Sequence, residues 1–381
     1  MKWPRAGGLL LHPTSLPGPY GVGDLGPAAT TLLDGLQAGK QKLWQVLPLV
    51  PTGYGNSPYA GLSAFAGNPL IISPQRLMDE GLLEAADLRD HPRFPAHRVD
   101  FGAVIPWRME LLRASRARFQ TYGAPELLRD FDAFCADQCD WLDDYALFAA
   151  LKEAHDLKPW VEWPTSLALR EGAALTQARA RYADDIAFHR YVQFLFARQW
   201  ADVRAAARAR GILIIGDLPI FVAHDSADVW AHPELFRLDA HGRPTVVAGV
   251  PPDYFSKTGQ RWGNPLYRWD LIAESGYAWW IARVRRALEL FDFIRLDHFR
   301  GFQAYWEIPA ANATAVRGAW VPGPSDALFR AVRAALGSVP FIAEDLGVIT
   351  PDVVALRKRQ KLPGMRVLQF AFGAEATDQH L

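Results

Sequence analysis

Short apolar runs that end in polar or charged residues, separated by helical stretches, constrain this 381-residue chain more than any other feature. They are 8–12 (GLLLH), 43–48 (LWQVLP), 212–217 (ILIIGD), 293–297 (FIRLD), 341–345 (FIAED) and 366–370 (RVLQF). Near-continuous apolar runs are the pattern of parallel strands covered on both faces. Helical periodicity occupies 107–119, 125–155, 183–210, 326–336 and 352–360, the last opening on Thr350-Pro351 as cap and first turn. Strand alternating with helix predicts an α/β fold. Functional side chains at the C-terminal ends of several strands favour a (β/α)8 barrel, whose site lies on that face.

The runs are unevenly spaced. More than one crossover helix separates the second from the third, which predicts two barrel strands in 1–74, an inserted helical subdomain over 75–211 and the remaining strands in 212–381. A loop-rich segment, 221–271, interrupts that last part. The six runs are about six of the eight strands a closed barrel takes.

Charge excludes some partners. The 41 basic and 41 acidic residues cancel, which leaves no global field to draw nucleic acid or an anionic membrane. No apolar stretch approaches a membrane span, and the N-terminal residues lack the form of a signal peptide, so a soluble cytoplasmic protein is expected. Cys135 and Cys139 rule out a disulfide scaffold. Their i,i+4 spacing reads as two small apolar side chains on one helix. The 14 Trp and 11 Tyr offer rings with apolar faces and polar edges, as sugar binding uses.

Three carboxylates stand at strand ends: Asp217, Asp297 and Glu344. Any one alone reads as a helix cap. Together they suggest chemistry. Arg295 and Asp297, two apart on a strand, point to the same face. The cation there is expected to keep Asp297 ionised, as a nucleophile requires. Glu344 follows Phe341-Ile342-Ala343, an apolar approach that raises its pKa and suits a proton donor. Two carboxyl groups in opposed protonation states are the kit of a glycosidase. There is no Gly-rich phosphate loop, no metal-ligand spacing around His224-Asp225 or Asp297-His298, and no nucleophile elbow at Ser57 or Ser226. No metal and no cofactor are expected.

Longer blocks carry a resemblance. LHPTSLPGPYGVGDLG (11–26), WQVLPLVPTGYGNSPY (44–59) with SAFAGNPL, and GDLPIFVAHDSADVW (216–230) resemble the 4-α-glucanotransferase, or amylomaltase, family. So do GVPPDYFSKTGQRWGNPLY (249–267), RLDHFRGFQAYWEIP (295–309) and AEDLG (343–347). The resemblance implies a TIM-type barrel of the α-amylase kind with helical insertions. It implies Asp297 as nucleophile and Glu344 as general acid/base. Arg295, His298 and Asp217 would contact sugar beside the scissile bond. Gly249 to Tyr267 would form a lid, with Gln260, Trp262 and Asn264 over the glucan and Tyr254 and Phe255 helping to exclude water. Ser57 and Tyr59 would bind sugar, and Tyr54 a more remote glucan.

The implied reaction moves a segment of an α-1,4-glucan donor, such as a maltooligosaccharide, to the 4-hydroxyl of a glucose or glucan acceptor, with retention. The family's third catalytic carboxylate belongs to a seventh-strand His-Asp-Asn motif, which 371–381 does not match, so the expectation is that the chain ends before it. An α-glucan hydrolase or a truncated, non-catalytic glucan-binding protein are the alternatives.

Overall fold

The computed structural model describes residues 5–89, 91–253 and 256–369, and the chain divides into two compact units. The first comprises 2–215 with 222–244, the second 216–221 with 245–381.

In the first unit, strands β1 (Gly8–Leu10), β2 (Leu43–Gln45) and the start of β3 (Leu213–Pro219) pair in parallel, Gly8 opposite Leu43 and Leu43 opposite Leu213. β1 sits at the edge. Its Leu9 and Leu10 are exposed, against the expectation that each apolar run is covered on both faces. Nine helices among the described residues accompany these strands: α1 (Pro27–Ala38), α2 (Pro74–Asp79), α3 (Phe101–Tyr122), α4 (Pro125–Asp137), α5 (Cys139–Ala154), α6 (Thr165–Ala168), α7 (Gly172–Arg181), α8 (Ala183–Ala209) and α9 (Ala227–Ala231).

Capping explains where some begin. Asp100 accepts from the Gly102 N–H at the start of α3, and the Ser226 hydroxyl accepts from the Val229 N–H at the start of α9. The long α8 holds the loops beside it by two glutamines. Gln193 accepts from the Gly67 N–H at 2.6 Å and donates to its carbonyl at 2.9 Å, and Gln199 does the same for Ser73. A buried amide that pairs with both backbone groups of a loop residue leaves neither unsatisfied. The helical stretch read over 125–155 is two helices, broken at Gln138. Cys135 and Cys139 therefore fall on different helices and do not share one face.

The second unit carries the end of β3, Gly216–Pro219, which neighbours β6 (Phe293–Asp297), which in turn pairs in parallel with β9 (Phe341–Ala343). Gly216 belongs there because the Phe291 ring lies where a Cβ would stand, 2.0 Å from it. Helices α10 (Trp269–Glu274), α11 (Ala278–Leu290), α12 (Ser325–Leu336) and α13 (Pro351–Arg359) complete the crossovers. An aromatic core of Tyr267, Trp280, Phe299, Phe302, Phe329 and Phe341 is almost wholly buried.

Two further expectations are corrected. The segment read as loop-rich, 221–271, contains β4 (Val246–Val250) and β5 (Gln260–Pro265). With β7 (Ala304–Pro309) and β8 (Ala319–Pro322) they form an antiparallel sheet in the order β5-β4-β7-β8. The run 366–370 forms no strand over its described residues, 366–369. Upstream, the Ala343 N–H bonds the Pro363 carbonyl, but Pro363 has no N–H to return, and the Met365 N–H goes to the Asp345 carboxylate instead. A ladder that loses a donor to proline and another to a side chain does not propagate.

Candidate active site

Parallel strands that end together bring their last residues to one place. The register sets Arg295 opposite Ile342, so Asp297 and Glu344 follow at the ends of β6 and β9. The junction is tied by backbone bonds from the Glu344 N–H to the Leu296 carbonyl (3.0 Å) and from the Phe299 N–H to the Glu344 carbonyl (3.1 Å). His298 turns the chain in the left-handed region, φ 52°. There its N–H donates to Glu344 Oε2 at 2.8 Å, while the Leu346 N–H donates to Oε1 at 3.2 Å. Both oxygens of this carboxyl are thus fixed by main chain.

Arg295 is the hub. Its Nη1 contacts Asp217 Oδ1 at 2.8 Å and Oδ2 at 2.9 Å, and Asp297 Oδ1 at 2.9 Å. Asp217 lies on the part of β3 that belongs to this unit, and its side chain is only 1% exposed. Asp217 therefore backs Arg295 from below, whereas Asp297, 27% exposed, faces outward. A cleft of about 290 Å³ opens above them, lined by Asp297, Glu344, Arg295, His298, Gln260 and Trp262, with Arg300, Trp320 and the 346–348 segment on the same wall.

The protonation states follow from this geometry. Burial raises the Glu344 carboxyl above its ordinary value, and the nearby Asp297 charge raises it further, against Arg295 and two backbone N–H groups. Burial also raises Asp297, outweighing the pull of Arg295. This reverses the sign expected from the neighbouring cation alone, since loss of water costs the carboxylate more than one shared guanidinium returns. Burial pulls Arg295 down, but Asp217 and Asp297 more than offset it, and it stays above its ordinary value. His298 is driven down to about 4 by burial and by the Arg300 charge, so its imidazole is neutral at pH 7. Its Nε2 is buried without a partner among the described residues.

The cleft gathers Asp297, Glu344, Arg295, His298, Gln260 and Trp262. Gln260 and Trp262 alternate on β5, and the Trp262 indole N–H donates to the Gln260 side-chain oxygen at 3.1 Å. The Trp262 ring meets His298 edge-on at 4.8 Å. Asn264 lies on β5 where its pairing with β4 shifts register, next to Gly263 at φ 85°, and does not line the cleft. Ser57 and Tyr59 lie in the first unit, where the Ser57 hydroxyl accepts from the Tyr59 N–H at 3.2 Å and Tyr59 is 38% exposed. Tyr54 opens a short 3-10 turn in that unit. Tyr254 and Phe255 lie outside the described residues. His224 and Asp225 are satisfied within the fold: His224 Nε2 bonds the Gly242 carbonyl, and Asp225 takes Lys152 and the Trp160 N–H. Among the described residues no cluster of three or more His, Cys, Asp or Glu is placed to hold a metal ion, and no helix is long and apolar enough to cross a membrane.

Sequence reasoning passed over Arg300 and Trp320. Arg300 offered one signal, a lone cation inside the aromatic run FRGF. Trp320 sits in a four-residue strand whose alternation is too short to read.

A family model described as 4-alpha-glucanotransferase matches residues 11–381. The chain is 56% identical over 98% of its length to the 4-alpha-glucanotransferase of Thermus thermophilus, covering 74% of that protein. It is 49% identical to that of Synechocystis sp., over 97% of this chain and 74% of the relative. The amylomaltase from Streptococcus agalactiae in complex with acarbose superposes with a TM-score of 0.93 at 39% identity, over 97% of this chain and 74% of that one. The α/β fold of TIM-barrel type with helical insertions, expected from the sequence, is the fold of these enzymes. With a family match across nearly the whole chain and close relatives of one activity, the protein belongs to the 4-alpha-glucanotransferase family.

Proposed function

We propose that the protein transfers a segment of an α-1,4-glucan to the 4-hydroxyl of a glucose or second glucan by retaining double displacement. Asp297 attacks the anomeric carbon while Glu344 gives its proton to the departing 4-oxygen, leaving a glucosyl ester on Asp297. Glu344, now ionised, takes the proton of the acceptor 4-hydroxyl as that oxygen displaces Asp297. The observation that carries this reading is the pair itself: two half-buried carboxyls in one cleft, with Arg295 on Asp297 and the Asp297 charge raising Glu344. When Asp297 becomes an ester, its charge vanishes. That lowers the Glu344 pKa at the moment the residue must turn from acid to base.

Neutral His298, whose Nε2 has no partner among the described residues, is a hydrogen-bonding group for the sugar hydroxyls in the occupied subsite. Trp262 and Gln260 form the facing wall. Asp217 acts through Arg295. We assign Asn264, Ser57 and Tyr59 to glucan binding, and Tyr54 to a more remote glucan, on the strength of the resemblance. The helical stretch 75–211 is proposed as an insertion between barrel strands. The free Cys135 and Cys139 suit a reducing cytoplasm.

Hydrolysis is the rival outcome, because water competes with the acceptor at the ester. Two half-exposed tryptophans at the cleft, Trp262 and Trp320, favour a sugar acceptor over water. Incubation with maltotriose tests this: transfer yields glucose with maltopentaose and longer products, whereas hydrolysis yields only glucose and maltose.

A further inference from the structure

The turn that follows β6 grips the segment 344–348 at three successive points. The His298 N–H holds the Glu344 carboxylate, the Phe299 N–H holds its carbonyl, and Arg300 Nη1 donates to the Val348 carbonyl. The first two contacts fix the Glu344 residue itself. The third fixes the far end of its loop, just past Gly347, whose φ of 80° turns the chain in the left-handed region that glycine favours.

Arg300 is an unusual residue to find there. It is 6% exposed, makes no ion pair among the described residues, and has a buried Nε without a partner. Burying a guanidinium without a carboxylate is costly. Trp320, whose ring centroid lies 3.7 Å from the guanidinium carbon, offsets part of the cost, and the charge of Asp352 adds to that offset from outside ion-pair distance. Trp320 also meets Trp306 edge-on at 5.3 Å. It remains 39% exposed and lines the cleft beside Leu346, Gly347 and Val348.

We propose that Arg300 is a positioning residue that ties Trp320 to the 344–348 loop, so that a sugar seated on the Trp320 ring and the Glu344 carboxyl share one fixed wall. This rests on Glu344 being the acid/base. A flat cation is needed for the task. It must lie on an indole face and still reach a carbonyl, which an ammonium on a flexible stem does poorly.

The test compares Arg300→Met and Arg300→Lys with the parent on two donors, maltotriose and maltosyl fluoride. Fluoride leaves without protonation, so a misplaced Glu344 matters for the first donor and little for initial fluoride release from the second. Arg300→Met is expected to lose about tenfold or more in kcat on maltotriose, with a several-fold rise in KM, and no more than about twofold in fluoride release. Arg300→Lys is expected to behave like Arg300→Met. Equal loss on both donors, no loss on either, or full rescue by lysine would overturn the proposal. Should Arg300→Met fail to melt cooperatively, Arg300→Gln, which can still donate to a carbonyl but carries no cation to lie on the indole, takes its place, and the same split between donors is expected. Asp297→Asn run alongside keeps the two readings apart. If it stays active, the assignment of Asp297 and Glu344 falls. If it is inactive while the Arg300 variants match the parent, only the coupling falls.

Discussion

Asp297 and Glu344 are chemically alike and share one cleft, so the company each keeps separates their roles. Asp297 has the guanidinium of Arg295 at 2.9 Å, while Glu344 has backbone N–H groups and the charge of Asp297. Asp297→Asn keeps the volume but removes the attacking oxygen anion. We expect several orders of magnitude loss in transfer from maltotriose with an unchanged melting temperature; more than a tenth of parental activity would remove Asp297 from the mechanism. Glu344→Gln keeps one of the two backbone contacts through its amide oxygen, sets its NH2 against the other N–H, and has no proton of suitable acidity to give. It is expected to be strongly impaired on maltotriose and far less so in fluoride release from maltosyl fluoride, and equal impairment on both would show that Glu344 is not the acid. The sequence made these residues legible because spacing of two on a strand and an apolar approach to a carboxyl are local facts. It did not make the sign of the Asp297 shift legible, because desolvation depends on what the rest of the fold places around the carboxyl. Arg300 and Trp320 were missed for a related reason: each gains its meaning from the other across two different elements.

The strands β2, β3, β6 and β9 were readable as apolar runs because parallel strands are covered on both faces. The sheet β5-β4-β7-β8 was not, since β5 and β8 are short and largely exposed and β4, though apolar, carries a glycine and runs straight into Pro251-Pro252, as a loop does. That sheet nonetheless carries Gln260 and Trp262 into the cleft. Gly249 makes its central pairing possible: a Cβ there would stand 2.1 Å from the Gln260 carbonyl oxygen and 2.6 Å from Ile308 Cδ1. Gly249→Ala is therefore expected to cost about 1–3 kcal/mol in overpacking. It should also raise KM for maltotriose by shifting Gln260 and Trp262. Thermal melting and steady-state kinetics on one preparation check both. A variant as stable and as tight for substrate as the parent would show that β4 and β5 tolerate separation at this point.

At the scale of the whole molecule, acid should unfold the protein in a way two histidines make visible. Burial holds both His12 and His298 at about 4, well below the ordinary 6.5. The folded value lies below the unfolded one, so the unfolded chain binds these protons first. Stability from each is complete above pH 6.5 and is lost between pH 6.5 and 4, by up to about 3 kcal/mol per histidine. Asp297 and Glu344, whose values are raised, act in the opposite sense at the acid end. The comparison that isolates the effect is the parent against His12→Gln by urea denaturation at pH 7.5, 6 and 5. The parent should lose stability faster on acidification, and parallel curves would contradict the assignment of a buried neutral His12. The central claim is that the glucan passes through a covalent bond to Asp297, and the most direct measurement is mass spectrometry of the protein trapped with a 5-fluoro-glucosyl fluoride and digested with trypsin. Cleavage after Arg295 and Arg300 isolates the peptide Leu296–Arg300, in which Asp297 is the only carboxylate side chain. The account predicts one added sugar on that peptide and none in the Asp297→Asn protein. An adduct on the peptide bearing Glu344 or Asp217, or turnover with inverted configuration and no adduct anywhere, would contradict it.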